Sequence, residues 1–225
     1  MELLKIAFPN LLGKIPEFIE SIWQTLFMVA FSGAIAIAIG LIFGTILTVT
    51  KRGGILENVF LSSVLDKSIN VFRTIPFVIL ITLLIPVTRL IAGTAIGTKG
   101  AIVPLVVGTI PFFARQVETA LAELDNGLIE AAQSMGDGPL DIIFNIYLKE
   151  SLPGLIRAVT ITIISLIGLT AMAGAVGGGG LGDFAIRYGH QRNQSDATIA
   201  TVLVLIFIVS SVQVASNLII AKIKR

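Results

Sequence analysis

Cysteine is absent from the 225 residues, which excludes disulfide staples and thiolate metal sites and leaves the redox compartment unread. Histidine occurs once, at His190, between Arg187 and Arg192. A single imidazole in a charged stretch reads as a solvated loop residue, not a metal ligand, a base or half of a Ser–His pair. Charge is scarce as well: Asp, Glu, Lys and Arg make up 13% of the chain, against about 25% in an ordinary soluble domain. Sixteen bases face fourteen acids, for a net charge of +2. The bases are scattered, so no nucleic-acid partner is expected. No Gly-x4-Gly-Lys-Ser/Thr string occurs, and the nearest approach, Gly93 to Lys99, has the wrong spacing. The chain therefore lacks a phosphate-cradling loop of its own. Lys5, Pro9, Lys14, Pro16 and Glu17 interrupt the first residues, and no cleaved leader is expected.

Apolar residues fill the space that charge leaves. They make up 55% of the chain, with a mean hydropathy of +0.94. Such a surplus needs lipid around it, so the sequence reads as an all-α polytopic membrane protein with one membrane domain over residues 1–225. A helix needs about 20 apolar residues to cross the hydrocarbon layer. Ser21–Thr50, Ala158–Gly182 and Ala197–Ala221 carry no charge and supply the first, fourth and fifth spans, with the glycine run left out of the fourth. Residues 68–88 make a second, with Pro76 and Pro86 inside it, and 101–121 a third. Lys51 and Arg52 follow the first span, and Lys222, Lys224 and Arg225 follow the last. Basic flanks stay cytosolic. Five spans, with four or six left open, then put the N-terminus outside, the C-terminus inside and residues 124–154 in the cytosol.

Arg73, Arg115, Glu118 and Arg157 fall near the cytosolic ends of their spans. Charge at membrane depth costs about 2.5–3.5 kcal/mol, so pairing is expected. Arg115 and Glu118, three apart, share a helix face. No charged pair sits at mid-span, which argues against a proton-driven carrier. Gly40 and Gly44 form a GxxxG pair suited to close helix packing. Pro76 interrupts a helical hydrogen bond, as a hinge or as static packing. Ser210, Gln213 and Asn217 form a polar stripe on the last span, suited to interhelical hydrogen bonding. Six of the nine residues from Gly174 to Gly182 are glycine; the run reads either as a flexible connector or as a lining of the route. Met172 before it fits a soft gate or a core methionine equally well.

The span Leu124–Gly154 is too structured for a connecting loop. Leu128, Ala131, Ala132 and Met135 share one face of a short helix. Gly136 suits a left-handed C-cap, and Pro139 suits the first position of a second helix. That helix sets Leu140, Ile143, Phe144, Tyr147 and Leu148 on one face and Asp141, Asn145 and Lys149 on the other. The result is a helix–turn–helix on the water side: a docking surface, or a helical loop folded on its own bundle. A membrane scaffold recruiting some non-ATPase partner fits the same pattern.

Glu130-Ala131-Ala132, three residues, Gly136, nine residues and Ile146-Tyr147-Leu148 resemble the "EAA" motif of permease subunits of ABC importers. The motif ends there in proline, where this chain has Lys149. Further blocks, Phe72-Arg73-Thr74-Ile75-Pro76-Phe77, Ala101-Ile102-Val103-Pro104-Leu105, Leu152-Pro153-Gly154-Leu155 and Ala171-Met172-Ala173-Gly174 through Gly182, resemble the methionine-uptake permeases across most of residues 20–220. The resemblance implies a non-enzymatic transport subunit in the cell membrane. Glu130, Ala131, Ala132, Met135 and Gly136 would contact a separate ATPase subunit, which would hold ATP and magnesium. Met172, Gly174 and Gly177 become candidates for the translocation pathway. It further implies a second copy of the chain, since five helices are too few to surround a pore, and an extracytoplasmic binding (lipo)protein. The cargo implied is an amino acid, methionine first, with another small amino acid or peptide open.

Overall fold

The fold is described from a computed structural model, over residues 8–223. Lys5, used above in the leader reading, and Lys224 and Arg225, used to orient the chain, lie outside these residues. All regular structure among the described residues is helical. A short 3-10 turn, Leu12–Lys14, leads into α1, Ile15–Thr50. Then come α2 (Val59–Thr74), α3 (Phe77–Leu83), α4 (Ile85–Ala92) and α5 (Gly97–Ala122). A helical pair follows: α6 (Asn126–Met135) and α7 (139–150). Next is α8 (Leu152–Ala173), which runs into a wider turn over Gly174–Gly178. The chain closes with α9 (Gly180–Phe184, extended by Ala185–His190) and α10 (Ser195–Ile223).

Four helical stretches are long and apolar enough to cross a membrane: Leu12–Thr50, Gly97–Ala122, Leu152–Gly178 and Ser195–Ile223. The expected second span over 68–88 is instead divided among α2, α3 and α4. Pro76 causes the first division. The ring of a proline pushes the residue before it out of the helical region; Ile75 is extended at φ −77°, ψ 120°, and Pro76 starts α3 as its N-cap. Pro86 sits in the first turn of α4, where a missing N–H costs nothing. Pro76 is thus a helix boundary, not a kink within one helix.

Contacts divide the chain into two units. The first holds the residues up to Ala34, Pro76–Gly108 and Ile163–Val214; the second holds Ile35–Ile75, Thr109–Thr162 and the residues from Ala215 on. In the second unit the GxxxG pair finds its partner in α5. A Cβ on Gly40 would lie 2.9 Å from the Phe113 ring, and one on Gly44 only 2.5 Å from the Ala114 carbonyl and 2.6 Å from Val117 Cβ. The two backbones approach this closely because neither glycine has a side chain. The same unit gives Arg115 of α5 its partners. Its guanidinium donates to Glu118 and, at 2.7 Å, to Asp66 of α2, with Asn70 at 3.0 Å. The Arg115–Glu118 pairing matches the sequence reading; Asp66, 49 residues away, is the added acid that ties α2 to α5. The polar stripe on α10 differs from expectation: Ser210, Gln213 and Asn217 are exposed, and Ser216 carries the interhelical bond, 2.6 Å from Thr160.

In the first unit the glycine run is ordered. Gly174 is buried, and a Cβ on it would fall 2.5 Å from the Asp183 amide. Gly177, Gly179 and Gly180 adopt φ of +90°, +76° and +78°, the region open to glycine. These torsions end α8 and restart the helix as α9. The first N–H groups of a helix have no partner within it. Here Gly180 N–H donates to the Gln24 side-chain oxygen and Leu181 N–H to Thr25 Oγ1, both at 2.8 Å. α1 thereby caps α9 across 156 residues, and a flexible connector is ruled out.

Replacing Gly44 by Ala is expected to destabilise the purified protein by about 1–3 kcal/mol, the usual penalty for overpacking, read as a lower thermal unfolding midpoint. Gly168→Ala, where nothing lies within 4 Å, is the internal control and leaves the midpoint unchanged or raises it. Thr25→Val removes the acceptor of a buried N–H and is expected to cost about 1–3 kcal/mol. Faster amide exchange at Leu181 reads the same change locally, and Thr25→Ser restores protection.

Candidate functional site

The helical pair α6–α7 belongs entirely to the second unit, between α5 and α8. Asp125 starts α6 by accepting the Gly127 N–H at 2.8 Å, a preferred N-cap arrangement that reading the residues for faces alone passes over. Gly136 ends it at φ +90°. Its N–H donates to the Gln133 carbonyl at 3.1 Å, and the Asp137 N–H reaches back to Ala132, also at 3.1 Å. This pair of bonds is the Schellman closure, and only a residue at ease with positive φ completes it. Pro139 opens α7 at its first position, as the sequence predicts.

The inward face of α6 departs from the expected one. Ile129 and Ala132 are buried, whereas Leu128, Ala131 and Met135 are exposed. Only Ala132 of the predicted face points into the bundle. In α7 the departure has a geometric cause. Residues Ile142–Tyr147 form a π-helical turn, with the Leu148 N–H donating to the Ile143 carbonyl. An i→i+5 turn shifts the register of every side chain within it. Ile142, Ile143 and Tyr147 therefore point inward together, and Leu140 and Phe144 turn out. Asp141, Asn145 and Lys149 are exposed, as expected. Lys149, standing where the resembled motif has proline, lets α7 continue to Glu150; the break falls at Ser151, and Pro153 lies in the first turn of α8.

The buried side chains join Val49 of α1, Phe113, Val117 and Leu121 of α5, and Leu155 and Ala158 of α8 in one apolar cluster. Full burial of a side chain such as Ile142 or Ile143 contributes about 1.5–3 kcal/mol, so the pair is held firmly. Burial also raises the Tyr147 phenol above its ordinary value, which keeps the ring neutral in its apolar seat. What remains outside is an uncovered apolar ledge. Met135 is 77% exposed, Leu140 66% and Phe144 64%, so the rest of the chain leaves these side chains uncovered. Glu130, on the same helix as Met135, is also exposed. Two isoleucines and a tyrosine thus anchor a helical pair whose other side carries exposed apolar side chains, a pattern that marks contact surfaces.

The other candidates lie in the first unit. Met172 is 40% exposed, Gly174 is buried and Gly177 is exposed at the break after α8. His190 is exposed and closes the helical extension of α9, so it sits in a helix end and not in a loop. Nearby, Lys14 and Arg192 lie 4.3 and 4.9 Å from the centre of the Tyr188 ring, cation–π contacts that composition does not reveal. No group of three or more His, Cys, Asp and Glu residues suited to a metal ion occurs among the described residues.

Residues 36–225 match the family described as the binding-protein-dependent transport system inner membrane component. The probable D-methionine transport system permease protein MetI of Vibrio cholerae is 52% identical over 191 residues, 85% of this chain and 85% of its own length. The methionine import system permease protein MetP of Bacillus subtilis is 43% identical over 212 residues, 94% of this chain and 95% of its own. A chain from an inward-facing crystal form of the MetNI methionine ABC transporter superposes with a TM-score of 0.92 at 42% identity, covering 95% of this chain and 99% of that one. The fold extends to a chain of an amino acid ABC transporter, at a TM-score of 0.78 and 17% identity. With three of its four long apolar helices wholly inside the matched region, the chain is a member of the binding-protein-dependent transport system inner membrane component family, a multi-pass permease subunit.

Proposed function

We propose that this chain, one permease domain over residues 1–225, carries methionine into the cell as half of a paired membrane channel driven by a separate ATPase subunit. The observation that carries the reading is the ledge of Leu128, Ala131, Met135, Leu140 and Phe144, exposed on a helical pair whose opposite side is locked into the bundle. The names of the MetI and MetP relatives support methionine as cargo, and the MetNI likeness supports an ATP-binding partner. ATP and magnesium reside on that partner, and an extracytoplasmic binding protein delivers the amino acid. Glu130, Ala131, Met135 and Gly136 form the coupling contact, with Ala132 seated beneath them in the bundle. With α3 and α4 together making a broken fifth crossing, the contact lies on the cytosolic side with the C-terminus, while the N-terminus lies outside.

The physical step follows from the seating of α6 and α7. Closure of two ATPase subunits on ATP displaces the ledge. Because the ledge is fixed to α1, α5 and α8 through one apolar cluster, the displacement passes into those helices. ATP then shifts the equilibrium between inward- and outward-open states by its differential affinity for the two. Met172, Gly174 and Gly177 lie on the route that opens, with the glycines permitting close backbone approach.

Replacing Gly136 by Val forces a β-branched residue into the left-handed region at a cost of about 1–2 kcal/mol. Uptake of labelled methionine by proteoliposomes is expected to fall severalfold while the protein still inserts. Met135→Asp and Phe144→Asp, both at exposed positions, should weaken capture of the ATPase subunit by about tenfold, on the scale of an interface anchor, without lowering the thermal midpoint of the permease. Full uptake and undiminished capture in all three variants would overturn the reading.

The absence of cysteine makes single-cysteine labelling clean. Lys149→Cys is expected to react with a membrane-impermeant maleimide only after the membrane is opened. Arg192→Cys should react in cells whose inner membrane is intact. The reverse pattern would invert the proposed orientation.

A further inference from the structure

The loop that follows α1 borders a cavity of about 380 Å³, within the range of about 300–1,000 Å³ occupied by small-molecule sites. Its walls come from one unit: Lys51 and Arg52 on the loop, Asn126, Glu130 and Gln133 on α6, and Tyr147 on α7. Two cations therefore face a single acid. Neither Lys51 nor Arg52 forms an ion pair among the described residues, whose salt bridges involve Arg115 and Arg187. Glu57, the acid of the loop itself, is turned to the backbone, accepting the Gly53 N–H at 3.0 Å. The side-chain amides of Asn126 and Gln133 add neutral donors on the opposite wall.

Position narrows the ligand. Lys51 and Arg52 are the first charges after the charge-free run Ser21–Thr50, the place of the basic flank that meets the headgroups. Basic pockets at that depth attract anionic lipid headgroups, at about 1 kcal/mol per cation. From these residues we infer that the cavity holds the phosphate of an anionic phospholipid, with Lys51 and Arg52 on the phosphate and Asn126 and Gln133 on the neighbouring hydroxyls. Free phosphate shares the same chemistry and is the competing source. A bound headgroup would bridge the end of α1 to α6, the helix that carries Glu130, and so stiffen the mount of the coupling ledge. That consequence for transport rests on the function proposed above, whereas binding does not.

Native mass spectrometry of the purified full chain, released from mixed phosphatidylglycerol–phosphatidylcholine micelles, tests it. Phosphatidylglycerol adducts are expected to persist over phosphatidylcholine adducts. Lys51→Gln/Arg52→Gln should reduce their retention roughly thirtyfold, Lys51→Arg/Arg52→Lys should restore it, and Lys67→Gln, at an exposed cation on α2, should match the parent. Millimolar inorganic phosphate should not displace the lipid. Equal retention by the Gln double variant, or no preference for phosphatidylglycerol in the parent, would overturn the site. Displacement by inorganic phosphate would overturn the lipid as its occupant. Methionine uptake in vesicles with and without phosphatidylglycerol is the separate readout of the coupling: unchanged uptake beside selective adducts leaves the site standing and refutes its effect on transport.

Discussion

One apolar cluster carries the second unit. Ile129, Ala132, Ile142, Ile143 and Tyr147 come from the short helical pair, Val49 from α1, Phe113, Val117 and Leu121 from α5, and Leu155 and Ala158 from α8. Lipid solvates the long helices, but α6 and α7 are short and would not persist alone in water, where helices under about 12–15 residues are marginal. Their stability is borrowed from this contact. Without it the ledge would have no fixed position, and a push on the ledge would move only the ledge. The Gly40–Gly44 approach to α5 serves the same end, since it brings Val49 close enough to α5 to join the cluster.

Much of this was readable from residue order. The charge-free runs marked the long helices because burying charge in hydrocarbon is costly enough to leave a clean gap in the pattern. Gly136 and Pro139 marked the turn because glycine alone takes positive φ freely and proline fixes φ at a value suited to a first helical turn. The inward faces of α6 and α7 were not readable, and the reason is physical. A segment that must pack on one side and meet a partner on the other carries apolar residues on both, so counting apolar positions does not reveal which side is buried. The π-turn over 142–147 then moved Leu140 and Phe144 away from the residues an α-period groups them with. Likewise the partner of Arg115 on its own helix followed from a spacing of three, whereas Asp66 is a tertiary neighbour that no local period exposes.

The division of the expected second span shows a competition decided by one residue. Hydropathy over 68–88 favours a continuous crossing, but Pro76 removes an N–H and excludes Ile75 from the helical region. The backbone answers with three helices in place of one. α2, ended at Thr74 by this break, carries Asp66 and Asn70 to Arg115 of α5.

The cap that Gln24 and Thr25 place on α9 bears on biosynthesis. Thr25 leaves the ribosome 156 residues ahead of Leu181, so for most of translation its hydroxyl has no amide to receive. α9 cannot finish its first turn from local sequence, because the glycines before it supply no capping side chain. A product truncated before residue 180 would therefore lack the two amides that Gln24 and Thr25 accept, and its first long helix would keep those acceptors unfilled.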